Sequence, residues 1–381
     1  MGHMKAIARP VLLGSLLVTS PELLAQRPTG SSSSPLPSPV LTIGREGDPD
    51  YEFVSVEAAY RLPTGGIAVA DSRTPFLRVF DEEGRLLRKL GREGAGPGEF
   101  RSVHTLLVAG DTLLAYDWNL RRITRYLTTG RLLGTQPVRP ASDYGSVNVV
   151  GRLPTGRWLV STPHAPNWGH GPGMYRDTLH VGSVDSSSTG PVRWIGHFPG
   201  ATLFAFMPGQ DKSRWAVGWA FFAPITVVGV VADTIIIGDT STADLQYLSS
   251  DGRVIRRLTI PLDGAPDLTE HRRAALAQGL AHAGPRTNTE YVRASYEAAR
   301  TPVYYRDFVV ATDGHLWVRL FEQRPGDPVP YLILSPAGSA RARVSLPSGG
   351  RVLSADQDWI LCVLPDADDV ERIGLVRWAV P

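Results

Sequence analysis

Apolar residues in this chain occur in short runs that alternate with turns rich in Gly, Asp and Pro. The run Gly66-Ile-Ala-Val-Ala70 follows the turn Leu62-Pro-Thr-Gly65. The run Thr112-Leu-Leu-Ala-Tyr116 follows the turn Ala109-Gly-Asp111 in the same way. Short apolar runs bounded by turn residues are typical of β-strands in antiparallel sheets. The pattern therefore predicts an all-β protein.

This arrangement recurs at a regular interval. Phe53–Glu57, Phe100–His104 and Tyr144–Asn148 share an aromatic residue, then Ser-Val, then a polar residue. They begin 47 and 44 residues apart (53 to 100, and 100 to 144). Each unit contains two tight turns, which divide it into four antiparallel strands. Units of this length with four short strands are typical of the blades of a β-propeller.

Three weaker copies of the unit follow, with turns at 232–233, 312–314 and 355–358. We therefore predict a single all-β domain over residues 40–381, a six-bladed β-propeller of four-stranded antiparallel blades. The fourth unit is poorly delimited, which leaves five or seven blades open. The strand Val40–Gly44 precedes the first complete unit. We predict that it pairs with the last blade and closes the ring, because a single blade cannot bury both of its faces.

Two segments carry a more specific resemblance. Arg78–Gly84 (RVFDEEG) and Leu90–Phe100 (LGREGAGPGEF) resemble the signature of NHL repeats. Asp117-Trp-Asn119 with Arg122-Ile123 is similar to a second element of that signature. The chain thus resembles NHL-repeat-like six-bladed β-propellers that bacteria export and whose function is unassigned. The resemblance is specific over residues 40–135, and it implies an architecture without implying a chemistry.

The N-terminus has the pattern of a secretory signal. Lys5 and Arg9 supply positive charge, residues 11–18 are apolar, and residues 23–25 offer a cleavage site. We predict a signal peptide over residues 1–25, whose first three residues resemble a cloning remnant. The predicted mature protein is exported, to the periplasm or the exterior of a bacterial cell.

Residues 26–39 contain four consecutive Ser and are predicted to form a flexible linker. The apolar stretch of the signal is too short to span a bilayer, so no membrane span is expected. No Cys follows the signal, and we predict that the chain is not a lipoprotein. The only cysteine, Cys362, lies in an apolar run, which predicts a core residue and excludes an internal disulfide.

The charge pattern argues against some partners. The chain has 39 basic and 37 acidic residues and a net charge of +2. These charges are spread along the chain without a basic block, so a nucleic-acid partner is not expected. We expect a monomer.

Three long insertions interrupt the repeats, at residues 163–176, 199–215 and 263–302. By strand order, all three fall on the same face of the predicted propeller. Long ordered loops on a rigid scaffold often carry function, so we predict that this face binds the partner. Thr287-Asn-Thr-Glu290 is a capping box, and the third insertion is predicted to be a helical hairpin between blades 4 and 5. The sequence is compatible with two roles for this hairpin, a lid over the channel mouth and a static plug.

The repeat also predicts a ring of polar residues. Glu57, His104 and Asn148 occupy the same position in the innermost strands of three units. Inner strands line the central channel, so these side chains are expected to converge at its mouth as a ligand-binding ring. A looser alignment adds Thr226, Arg306 and Arg351.

Three functions are compatible with this pattern. The leading hypothesis is a binding module without an assigned catalytic residue, cofactor or metal ligand, whose partner is a small anionic molecule, a glycan or a protein. The alternative is a Ca²⁺-assisted hydrolase of lactonase or esterase type, with oxygen ligands from Glu57 and Asn148 and with His104 as base. A zinc-dependent lyase is the third hypothesis. Arg306 and Arg351 favour an anion over a bare cation.

The zinc hypothesis has little support in the spacing of the histidines. Four of them lie within one unit: His164, His170, His180 and His197. None of the usual zinc-binding spacings occurs among them.

Overall fold

The computed structural model describes residues 33–140, 147–164, 173–187, 189–206, 216–281, 289–298 and 300–380. The predicted signal peptide, residues 1–25, lies outside these ranges. No helix within them is long and apolar enough to cross a membrane.

Two short strands, β1 (Ser34–Pro35) and β2 (Leu41–Ile43), precede the first blade. Blades 1 and 2 follow as sheets of four strands in sequence order. Blade 1 contains β3 (Val56–Arg61), β4 (Ile67–Asp71), β5 (Leu77–Phe80) and β6 (Leu86–Leu90). Blade 2 contains β7 (Val103–Ala109), β8 (Thr112–Asp117), β9 (Arg122–Leu127) and β10 (Leu132–Pro137).

Blade 3 has five strands, and blade 4 has four. Blade 3 contains β11 (Asn148–Arg152), β12 (Trp158–His164), β13 (Gly173–Val184), β14 (Arg193–Phe206) and β15 (Ala216–Trp219). Blade 4 contains β16 (Thr226–Val231), β17 (Thr234–Asp239), β18 (Asp244–Ser249) and β19 (Val254–Thr259).

Two helices, α1 (Thr269–Ala281) and α2 (Thr289–Ala298), contact each other between blades 4 and 5. The carboxylate of Asp267 caps α1, since it accepts a hydrogen bond from the N–H of Thr269 at 2.9 Å. Blade 5 contains β20 (Asp307–Val310), β21 (Leu316–Arg319), β22 (Val329–Leu334) and β23 (Ala340–Leu346). Blade 6 contains β24 (Arg351–Ala355), β25 (Trp359–Pro365) and β26 (Glu371–Arg377).

The first strands of the blades form a closed inner ring. β3, β7, β11, β16, β20 and β24 contact one another in this order, and β24 contacts β3. β2 pairs with β26, with Leu41 opposite Leu375 and Ile43 opposite Ile373, so the outer strand of blade 6 comes from the start of the chain. The six blades, the helical hairpin and the closing strand are therefore confirmed. The fourth unit, weakly defined in sequence, is a complete blade.

Apolar clusters fill the spaces between neighbouring blades. Leu77, Phe100 and Leu113 are buried between blades 1 and 2. Cys362 is buried between blades 5 and 6, as predicted. β4 is buried along its whole length because both faces of its blade pack against neighbours, whereas the outermost strand β6 alternates between half-buried and exposed positions before the buried Leu90.

The described parts of two predicted insertions are extensions of blade 3. β12 continues to His164 and β13 begins at Gly173, so the described residues of the 163–176 segment are strand. β14 continues to Phe206 and pairs with the extra strand β15. The reason is local: 202–206 (TLFAF) favours the extended conformation, and Phe204 and Ala205 are buried.

Part of the predicted linker, 26–39, is also strand. β1 pairs in parallel with β23, with Ser34 opposite Val344, and the N–H of Leu36 donates to the carbonyl of Ser345 at 3.0 Å. The outermost strand of a blade has unpaired N–H and C=O groups, and residues 34–36 satisfy some of them. Only the later part of this segment lies within the described residues.

Candidate functional site

The inner strands all begin at one end of the propeller, which we call the entry end. The connections β12–β13, β14–β16 and β19–β20 lie at this end, because successive strands of each blade run antiparallel. These connections contain the three predicted insertions. The opposite end carries the short turns between first and second strands, and we call it the turn end.

Buried aspartates fix how the inner strands start. Asp71 accepts hydrogen bonds from the N–H of Val54 at 3.1 Å and from the N–H of Arg73 at 2.9 Å. Asp117 does the same in blade 2, with the N–H of Arg101 at 2.6 Å and the N–H of Leu120 at 2.9 Å. Each carboxylate thus joins the start of its inner strand to the turn after its second strand. Both carboxylates are satisfied in this way, and their role is structural.

Glu57 and His104 lie in equivalent bulges just after these anchored starts. The register of β3 shifts between Val56 and Ala58, and that of β7 shifts between Val103 and Thr105. Both side chains are exposed. Because β3 and β7 are neighbours in the ring, the structure places these two residues at the same level of the entry end.

Asn148 does not occupy this position. The bulge of β11 comes later, between Val149 and Gly151, and Asn148 pairs with Ser161 in the regular part of the ladder. Its side chain is half-buried. The sequence alignment of Asn148 with Glu57 and His104 is therefore not an alignment of structural positions.

Thr226 begins β16 opposite Asp239, in a ladder with no shift of register. Its hydroxyl donates a hydrogen bond to the carbonyl of Pro199. Pro199 belongs to the extended β14 of blade 3. Thr226 thus ties blade 4 to the extension of blade 3.

Arg351 connects the last blade to the first. Its Nη2 donates to the carbonyl of Val56 at 2.6 Å and to Oε1 of Glu371 at 2.8 Å. Oε2 of the same Glu371 accepts from the N–H of Val56 at 2.7 Å. The guanidinium of Arg351 is therefore occupied by contacts that close the ring of blades.

Arg306 is also engaged, beneath the helical hairpin. Its Nη2 donates to Oε2 of Glu322 at 2.8 Å, and its guanidinium carbon lies 4.9 Å from the centre of the Phe321 ring. His271 of α1 approaches the same carboxylate, with 3.7 Å between Nε2 and Oε2. Burial lowers the pKa of His271, and the nearby charge of Glu322 partly offsets this effect.

Aromatic side chains surround this cluster. The rings of Phe222 and Phe321 lie 6.1 and 6.3 Å from that of His271. Phe221 stacks on Tyr296 of α2, with 4.5 Å between the ring centres. The hairpin is thus held on the propeller by aromatic contacts and by one buried histidine.

A groove of about 280 Å³ opens beside Phe321 at the entry end, between blades 4 and 5. Its apolar wall includes Leu262, Tyr304 and Leu320. Asp263 and Arg343 also line it, and within the described residues neither makes an ion pair or a side-chain hydrogen bond. Sequence reasoning missed both residues, because neither lies on an inner strand and neither belongs to a motif.

The described residues do not bring the predicted metal ligands together as a cluster. Within the described ranges, no three or more His, Cys, Asp or Glu side chains gather in a metal-binding cluster. The predicted ring offers Ca²⁺ at most four side-chain oxygens, two from Glu57 and one each from Asn148 and Thr226, whereas Ca²⁺ takes six to eight oxygen ligands. Of the four histidines considered for zinc, His180 and His197 hydrogen-bond to each other through Nδ1, and His170 lies outside the described residues.

Comparisons with known proteins agree with the architecture. A family model described as a 6-bladed beta-propeller (DUF5128) matches residues 61–141. A Bacteroides fragilis protein described as exported is similar with a TM-score of 0.51 and 12% identity, over 88% of this chain and 94% of that one. The chain is a six-bladed β-propeller. At this identity, the likeness shows the fold alone.

Two further propellers are similar. A DUF4221-family protein from Bacteroides vulgatus has a TM-score of 0.51 and 11% identity, over 92% of this chain and 99% of that one. A gluconolactonase from Xanthomonas campestris has a TM-score of 0.46 and 12% identity, over 93% and 99% of the two chains, and at that score it carries no argument about activity. A comparison with curated proteins finds no match.

Proposed function

We propose that this propeller is an exported binding module that holds a short peptide with free ends in the groove between blades 4 and 5. One observation carries the proposal. Asp263 and Arg343 line the same groove of about 280 Å³ without pairing with each other. A peptide with free ends presents an ammonium group and a carboxylate a short distance apart, so it can satisfy both residues at once.

The wall of the groove suits the rest of such a ligand. Tyr304 and Phe321 offer aromatic surface, and Leu262 and Leu320 offer aliphatic surface. An apolar side chain of the peptide gains from burial against these residues. The planar guanidinium of Arg343 binds a carboxylate through two parallel hydrogen bonds, which fixes the direction of the ligand.

The groove is preorganised by the fold. The N–H of Ile260 donates to the carbonyl of Ala243 at 2.8 Å and fixes the chain where it enters the loop. On the other side, the ion pair of Arg306 with Glu322 lies next to Phe321. Arg306, predicted to bind the ligand, supports the groove wall in this proposal. A rigid site loses less entropy on binding.

The test is isothermal titration calorimetry with the dipeptide leucyl-phenylalanine, its N-acetyl form and its C-terminal amide. We expect the free dipeptide to bind most tightly. Arg343→Gln is expected to weaken the free dipeptide about tenfold and to leave the amide unchanged, because the amide already lacks the carboxylate. Asp263→Asn is expected to weaken the free dipeptide a few fold, since Asp263 is exposed to solvent.

Arg324→Gln is the matched control, because Arg324 is an exposed arginine of the same face outside the groove. Equal affinities for the three peptides would contradict the proposal. So would binding of the free dipeptide weaker than about 1 mM.

A further inference from the structure

The propeller has a second cavity at the turn end, away from the insertions. It has a volume of about 430 Å³ and is lined by the inner strands of blades 1 to 4 and the turns that follow them. It therefore occupies one side of the channel mouth. Neither the predicted ring nor the groove of the proposed function contributes a residue to it.

A glycine on β11 allows two inner strands to approach closely on this side of the channel. A Cβ placed on Gly151 would lie 2.4 Å from Cγ1 of Val230. Val230 thus occupies the space that a side chain at position 151 would need, and β11 and β16 approach closely. Val108 and Leu153 extend the same apolar surface.

Two polar side chains stand over this apolar surface. The hydroxyl of Tyr60 makes no hydrogen bond within the described residues, and Arg152 makes no ion pair there. The guanidinium carbon of Arg152 lies 5.5 Å from the centre of the Trp158 ring, which holds this side chain in place. The hydroxyl of Tyr60 keeps its proton and is a donor at neutral pH, because the ordinary pKa of tyrosine is 10.0 and burial raises it further.

The charge in the cavity has one sign. Among the described residues that line it, Arg152 is the only charged one, and none of them is acidic. A cation and a hydroxyl donor above an apolar floor are complementary to an anion with an apolar body. A neutral or cationic ligand of the same shape leaves Arg152 unpaired.

We propose that this cavity binds a small aromatic carboxylate. The carboxylate pairs with Arg152 and accepts a hydrogen bond from Tyr60. The aromatic ring packs against Val108, Leu153 and Val230. This site is independent of the groove between blades 4 and 5, and neither proposal depends on the other.

The experiment is calorimetric titration of the full chain with 2-naphthoate and with its neutral isostere 2-naphthamide. We expect the acid to bind at least about tenfold more tightly than the amide. Arg152→Gln is expected to remove this preference, and Arg152→Lys to restore part of it, because lysine keeps the charge but lacks the planar fork. Tyr60→Phe is expected to weaken the acid a few fold.

Arg343→Gln is the control, and it must leave naphthoate binding unchanged. Conversely, Arg152→Gln must leave binding of leucyl-phenylalanine unchanged, so that the two proposals fail separately. Equal affinity of wild type and Arg152→Gln for naphthoate overturns the site. Equal affinity of the acid and the amide for the wild-type protein also overturns it. The melting temperature of each variant shows that it is folded.

Discussion

Several side chains at the entry end are engaged in contacts that hold the ring of blades together. Arg351 is the clearest case, because its guanidinium bonds both Glu371 of its own blade and the carbonyl of Val56 in blade 1. Glu371 completes the contact by accepting from the N–H of Val56. Two hydrogen bonds thus join the first and last blades at one point, and a third, within blade 6, links Arg351 to Glu371.

We expect Arg351→Ala to lower the free energy of unfolding by about 2 kcal/mol, because it leaves the half-buried Glu371 and the carbonyl of Val56 without their partner. Urea denaturation measures this change. Arg85→Ala is the control, since Arg85 is an exposed partner of Asp81 and its removal is expected to change little. Equal losses in the two variants would contradict the special role of Arg351.

The candidate ring also shows which positions of the site could be predicted from the sequence. The position of Glu57 and His104 followed from the repeat, because the aromatic-x-Ser-Val pattern and the following bulge coincide in blades 1 and 2. In blade 3 the bulge moves past Asn148, and local sequence does not reveal where a ladder shifts. Arg343 was missed for another reason: its groove is built by residues far apart in the chain.

At the scale of elements, the helical hairpin contains a buried histidine that contacts the propeller. His271 of α1 is 4% exposed and lies among Glu322, Phe222 and Phe321, with Arg306 on the far side of Glu322. His271 is the buried residue of α1 within the described range. The neutral form of His271 is therefore part of how this insertion docks.

Burial lowers the pKa of His271 below its ordinary value of 6.5, so the folded state disfavours the charged form. The unfolded chain takes up a proton near that ordinary value, and stability is therefore expected to fall as the pH drops below about 6.5, down to the lowered pKa. Urea denaturation at several pH values checks this. His271→Phe is expected to flatten the pH dependence.

His104→Gln is the matched control for this prediction, because His104 is exposed at the same end of the molecule. It is expected to leave the pH dependence as in the wild type. An unchanged slope in His271→Phe would show that another group is responsible.

At the scale of the whole molecule, closure of the ring decides stability. Each blade packs against two neighbours, so an incomplete blade 6 weakens two apolar interfaces at once. β2 provides the outer strand of that blade, and Ile43 is buried against Phe80, Val363 and Ile373. Sequence reasoning found this strand because it precedes the first complete unit and because a single blade cannot bury both of its faces.

We expect a chain that lacks residues 1–44 to melt at least about 10 °C below one that lacks residues 1–32, because only the shorter chain loses β2. Differential scanning calorimetry measures both. A chain that lacks residues 1–37 separates the contribution of β1, which adds a fifth strand to a complete blade and is expected to matter less. Equal melting temperatures for all three chains would contradict a role of β2 in closure.

The partnership of β2 with β26 has a consequence for how the molecule assembles. Blade 6 takes strands from both ends of the chain, so its sheet is complete only when the last strand has been synthesised. Contacts of such large sequence separation form slowly. The earlier blades can stack as the polypeptide emerges, but the circle stays open until β26 has been made and has paired with β2.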